Sequence, residues 1–182
     1  MDIHSQVLVY DEKIPLPPEV IETSGMEWIN DSIWVTHNDS GNEASLYFLD
    51  KKGKLISTVK LTKAYNNDWE DISFDGISTI FIGDLGNNLN NRKNLKIYSY
   101  NINDSSVNSF PVNYADQKFP TPEKNKNFDC EAIVYSDKNI FAFTKNYSEP
   151  FNGYTKLYSF CIDGSDSLVS PIDSFYLGDG GL

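Results

Sequence analysis

The sequence predicts an all-β fold: a β-propeller of four-stranded antiparallel blades, of which about three are present. Three observations carry this. An acidic pattern recurs as Glu22-Thr-Ser-Gly-Met26, Asp68-Trp-Glu-Asp-Ile72 and Asp129-Cys-Glu-Ala-Ile133, each followed by an apolar strand-like run and an Asn/Asp/Gly-rich turn. The spacing is regular. Glu70 to Glu131, Ile72 to Ile133 and Asp84 to Lys145 are each 61 residues, while Met26 to Ile72 is 46 and Asp39 to Asp84 is 45, which predicts that one residue is lost between the first two copies. Finally, a period of this size that holds several strands and no helical pattern fits a propeller rather than a helical solenoid.

The elements follow from β-branched and aromatic runs bounded by Asn, Asp and Gly. Strands are predicted at 6–10, 23–29, 32–37, 44–50, 54–61, 69–74, 79–83, 95–101, 107–113, 130–135, 139–144, 155–161 and 168–177. They group into blades at approximately 22–61, 69–113 and 128–177 within a single partial domain, 1–182. Lys51-Lys-Gly-Lys54 and Ile162-Asp-Gly-Ser165 read as hairpin turns in which Gly supplies positive φ. The polar stretch 117–127, with its two prolines, reads as the connection between the second and third blades. A closed propeller has roughly four to eight blades, so the ring is expected to be completed by further chain, or by another chain. Open strand edges predict self-association of the fragment.

Composition narrows the function. With 40% hydrophobic and 14% aromatic residues the chain has material for a sizeable core. Its net charge of −11 argues against nucleic acid and anionic headgroups as partners. No apolar run approaches the ~20 residues of a membrane span, so no transmembrane segment is expected. The two cysteines, Cys130 and Cys161, lack zinc spacing and read as free thiols. His4 and His37 are the only histidines, and no Gly-x-Ser-x-Gly elbow accompanies them.

Asn38-Asp-Ser-Gly-Asn42, Asp68-Trp-Glu-Asp-Ile72, Ile82-Gly-Asp-Leu-Gly-Asn-Asn88, Asn91-Arg92 and Asp129-Cys-Glu-Ala132 together resemble a set of bacterial secreted or lipoprotein β-propellers. That set looks related to phytase-like and SMP-30/gluconolactonase-like six-bladed propellers. The resemblance implies an extracytoplasmic location, periplasmic, cell-surface or secreted. It also implies a divalent cation, calcium or another, on inner-strand carboxylates, and the positions that match in kind are Glu70, Asp71, Asp84 and Glu131. This chain departs from the pattern in having Lys145 where the second blade has Asp84, and in carrying a single arginine, Arg92.

The residues themselves leave two readings for these carboxylates. They are ligands for a hard cation, which takes several oxygen donors, or acceptors for backbone N–H groups and Lys145 that tie blades together. Around them, His37, Asp39, Trp69, Asn87, Arg92 and Lys145 are the candidate ligand-binding residues. Trp69, flanked by Asp68 and Glu70, is expected to border the site, whereas Trp28 and Trp34 read as inter-blade core. Asp39-Ser-Gly-Asn42 and Asp84-Leu-Gly-Asn87 also have the composition of tight turns. The function expected is an extracytoplasmic propeller that binds a ligand or partner at an acidic channel face. The alternative is a metal-dependent hydrolase of a phosphoester or lactone, with His37, Glu70 or Glu131 as base.

Overall fold

The computed structural model describes residues 13–163 and 167–178. Strands β1 (Thr23–Asn30), β2 (Ile33–Asn38), β3 (Ser45–Asp50) and β4 (Leu55–Lys60) form one antiparallel sheet in chain order. Strands β5 (Asp71–Phe74), β6 (Thr79–Asp84), β7 (Lys96–Asn101) and β8 (Val107–Pro111) form a second. The third holds β10 (Asp129–Ser136), β11 (Asn139–Lys145), β12 (Tyr154–Cys161) and β14 (Asp173–Tyr176). Two short strands, β9 (Asn113–Tyr114) and β13 (Leu168–Val169), pair in parallel and join the outer margins of the second and third sheets. Three consecutive four-stranded meanders with adjacent innermost strands make this a partial β-propeller.

Local chemistry sets the hairpins. Asp75 Oδ1 accepts from the amides of Ile77, Ser78 and Thr79 at 2.8, 2.7 and 2.9 Å, which closes the β5–β6 turn. Asp50 Oδ1 does the same for Lys52 and Lys54, with Gly53 at φ +74° between them. Asp137 and Lys138 both take positive φ, as a two-residue hairpin between β10 and β11 requires.

Alternation along each strand then sends side chains to opposite neighbours. On β6, Ile80 and Ile82 pack with Val35, Leu46 and Trp69 toward the first sheet. Phe81, between them, packs with Ile133, Ile140 and Phe160 toward the third. The far side of the first sheet is covered in part by the chain before β1, where Leu16 and Val20 meet Tyr47 and Leu49.

The innermost strands are tied directly. An added Cβ on Gly25 would stand 2.5 Å from the Ile72 amide nitrogen and 2.7 Å from Asp71 Cα, so only glycine lets β1 approach β5 this closely. Ser24 Oγ donates to the Glu70 carbonyl at 2.6 Å. Across the next gap, Asp71 Oδ2 accepts from the Ile133 amide at 2.8 Å and Ser73 Oγ accepts from the Tyr135 amide at 2.9 Å.

Several expectations change. The segment 107–113 divides into β8 and β9, and 168–177 into β13 and β14, with Pro171, which has no N–H to give a ladder, in the second break. The 117–127 connection contains a short 3₁₀ turn, Glu123–Asn125. The strand expected at 6–10 lies outside the described residues, as do His4 and the centre of the turn at 162–165. Both cysteines are free thiols, Cys130 buried and Cys161 partly so.

The pairing also corrects the registers. Met26 pairs with Thr36 and Ile72 with Ile82, both ten residues on, so no residue is lost between the first two copies and Asn38, rather than Asp39, is the counterpart of Asp84. Ile133 pairs with Ala142, nine residues on, because the β10–β11 hairpin closes on Asp137–Lys138 and is one residue shorter than the β5–β6 hairpin, and a bulge between Cys130 and Ala132 then adds a residue to β10. Thr144 therefore stands opposite the Asp84 position, and Lys145 does not.

Candidate functional site

Glu70 sits where the inner strands converge and belongs to two carboxylate groups at once. Asp39, Asp68 and Glu70 each place a carboxylate oxygen within 4.8 Å of the others, and so do Glu70, Asp129 and Glu131. Asp68 with Glu70, and Asp129 with Glu131, are spaced two apart in extended chain, so each pair projects to one side. Trp69 and Cys130, between them, project to the other and are buried in the core.

Gly86 fits the carboxylates closely. A Cβ there would lie 2.5 Å from Asp68 Cγ and in contact with Glu70 Oε1. Asp129 is fully buried. Its Oδ1 accepts from the Asn87 amide, while its Oδ2 has no donor.

The electrostatics follow from crowding and burial. Desolvation first, and then the charges of Glu131 and Asp68, push Glu70 up to about 8. Desolvation is also the main cause at Asp129, raised to about 7 with Glu131 facing it, and burial raises Asp68 although Arg92 opposes the shift. A buried oxygen without a donor, turned toward other carboxylates, is relieved by a proton or by a cation.

Not every expected residue joins this cluster. Asp84 is fully buried and its oxygens are occupied, Oδ2 by Asn67 Nδ2 at 2.9 Å, and Oδ1 by the Asp68 amide at 3.0 Å and Arg92 Nη2 at 2.8 Å. It organises the loop that positions Asp68. Asp71 faces the β5–β10 gap, where burial raises it to about 6 although its bond to Ile133 opposes that. Among the expected metal ligands, then, Glu70 and Glu131 come together, while Asp71 and Asp84 are held by protein donors.

Arg92 is turned inward, clamping Asp84 and the Gly86 carbonyl, with Asp68 Oδ2 3.9 Å away. Asn87 is buried and its Oδ1 accepts from the amides of Asn91 and Arg92, each at 2.9 Å. Lys145 is at the rim, its Nζ 3.2 Å from Glu131 Oε1 and above the Tyr147 ring. Asp39 takes part in the cluster from the first sheet.

Two aromatic expectations reverse. Trp69 does not border the site, since strand alternation buries it completely between His37 and Tyr98 with its Nε1 on the Tyr65 carbonyl. Trp28, expected in the core, is 54% exposed on the far face of the first sheet.

His37 is buried, with its Nδ1 2.9 Å from the Asn38 carbonyl and its Nε2 3.2 Å from the Gly25 amide. The first contact needs N–H and the second a lone pair, so the ring is the neutral Nδ1–H form. Desolvation lowers its pKa to about 4. With both nitrogens committed, His37 offers no base to a substrate.

Two members were absent from the expected ligand set, Asp68 and Asp129. The signal for them is the i, i+2 alternation inside the repeated motif, which places Asp68 with Glu70 and Asp129 with Glu131.

No protein-family model matches the chain, and no curated protein does. Among solved structures, the chain is similar to the WD40 domain of Neurospora crassa Pan2 at 16% identity, over 81% of this chain and 34% of that one, with a TM-score of 0.42. It is similar also to two variants of Synechocystis apocarotenoid oxygenase at 9% and 11% identity, over 84% and 89% of this chain and 38% and 39% of theirs, with TM-scores of 0.48 and 0.49. The chain thus spans between 34% and 39% of the length of these structures. The likenesses are to propeller-like β folds and carry nothing about the site.

Proposed function

We propose that this chain is part of an extracytoplasmic β-propeller that takes a divalent cation, calcium in the first instance, on Glu70, Asp129 and Glu131, and binds its ligand or partner at the acidic face around them. The single observation that carries this reading is the Asp129 Oδ2 atom, buried without a donor among carboxylates. Hard cations are held by several carboxylate and carbonyl oxygens, which is the chemistry these side chains offer. The extracytoplasmic placement rests on the resemblance of the turn motifs to secreted propellers, and sites of this kind outside the cell fill at about 10⁻⁴–10⁻³ M calcium.

The hydrolase reading has less support. A metal-bound water needs a base in reach, and His37 is spent on backbone contacts. Glu70 and Glu131 are more simply ligands.

A cation that binds only the folded state raises the melting temperature by mass action. Thermal melting with calcium and with chelator is therefore compared between the parent and the Glu70→Gln/Glu131→Gln double variant, which keeps shape while deleting charge. Calcium should stabilise the parent and not the variant, and the variant in chelator should melt at or above the parent. An equal calcium response in both would leave the carboxylates as hydrogen-bond acceptors.

A further inference from the structure

The two outward faces of the three-sheet stack differ in kind. In each internal contact, one sheet offers the face carrying Val35 or Phe81, and the next sheet offers the face carrying Ile72 or Ile133. The third sheet carries the first kind of face again, with nothing on it among the described residues. Ala132, Phe143, Thr155, Phe175 and Leu177 line an open apolar cavity of about 580 Å³ there, with Phe175 at 41% and Leu177 at 63% exposure. The first sheet carries the second kind. Met26, the counterpart of Ile72, is 51% exposed, and Trp28 beside it is 54% exposed, because Leu16 and Val20 cover only the outer strands.

A repeated polar contact points the same way. The carboxylate that precedes or begins each inner strand meets the loop of the sheet before it: Asp68 stands beside Asp39 of the first sheet's loop, and Asp129 accepts from the Asn87 amide of the second's. Glu22 occupies the same position ahead of β1 and is exposed, bonded to Asn42 of its own sheet's loop at 2.7 Å. The corresponding loop of the third sheet begins at Lys145, a cation at the rim of the bare apolar face.

We propose that a second copy of this chain covers that face: the third sheet of one copy packs on the first sheet of the other, and Glu22 of the second copy meets Lys145. The contact continues the packing already made twice inside the chain, so it is head to tail. Made twice about a two-fold axis, it closes a ring of six sheets, within the roughly four to eight of known propellers. Apolar faces of this kind are rarely left in water. Lys145 also bonds Glu131, so the two proposals meet at that side chain, whereas the apolar contact itself requires no cation.

Sedimentation of the 182-residue chain tests it, with Trp28→Asp and Phe175→Asp as single-face variants and circular dichroism reporting their fold. Both side chains are exposed, and Val134→Asp, also exposed, is a second probe of the third sheet. The parent should sediment at twice the mass of one chain and each variant at the mass of one. An equimolar mixture of Trp28→Asp and Phe175→Asp should regain a dimer, because their intact faces are complementary. Three results would overturn the proposal. They are a parent that stays monomeric at all concentrations, as cover by residues 1–12 of the same chain would give, a dimer that survives Trp28→Asp, and polymers that grow without closing.

Discussion

His37 has its Nδ1–H on the Asn38 carbonyl and its Nε2 on the Gly25 amide, and this fixes the sign of its response to acid. The unfolded chain protonates it near 6.5 and the folded chain near 4. Between those values the unfolded state binds more protons, so stability falls as pH falls, by up to about 3 kcal/mol. The carboxylates act in the opposite sense. Glu70 at about 8 and Asp129 at about 7 are raised above their unfolded values, so their contribution is complete below about pH 4 and is lost as pH rises through 7 and 8. Urea unfolding in chelator should therefore show Glu70→Gln gaining on the parent between pH 5 and 8, with calcium narrowing the gap. In the same experiment His37→Gln should lose less stability than the parent between pH 6.5 and 4.5. Arg92→Ala leaves the buried Asp84 carboxylate without its cation, and a cost of about 3–5 kcal/mol is expected in urea midpoints.

Each inner strand depends on a few contacts that no other residue type would make. Gly86→Ala should cost about 1–3 kcal/mol through overpacking, and by displacing Asp68 and Glu70 it should weaken the calcium-dependent rise in melting temperature. Asp71→Ala orphans the Ile133 amide, for about 1–3 kcal/mol in chemical denaturation. The sheets and most strands were legible because period-two alternation and turn residues such as Asp75 and Gly53 leave local marks. The bulge at Glu131 was not, since it changes which residues oppose one another without changing the motif itself. Nor could the sequence separate Asp84 from Glu70, because what distinguishes them is the Arg92 side chain folding back across its own loop. Trp69 is flanked in sequence by acidic residues but points away from them, into the core beside His37 and Tyr98.

With a net charge of −11 and five carboxylates around its inner end, the molecule concentrates repulsion where its sheets meet. Moderate salt without divalent ions should therefore stabilise it in chelator by screening, and calcium should do so at far lower ionic strength, which melting curves in sodium and calcium chloride would distinguish. The parallel pair β9–β13 has a different consequence. The Asn113 amide donates to Ser167 and the Ala115 amide to Val169, at 2.9 and 2.8 Å, lacing the outer margin of the second sheet to that of the third. Between the first and second sheets no such pair occurs among the described residues, and what joins them lies at the inner end and in the filling: inner-strand contacts, Asn66 Nδ2 on the Asn38 and Asp39 carbonyls, and apolar packing. Opening the molecule at its rim should thus separate the first sheet alone. In native-state hydrogen exchange, amides of β6, β7, β11 and β12 should exchange together as one cooperative unit, and those of β2 and β3 through a separate opening of lower free energy. The chain would then behave as a welded pair of sheets with a third on a hinge.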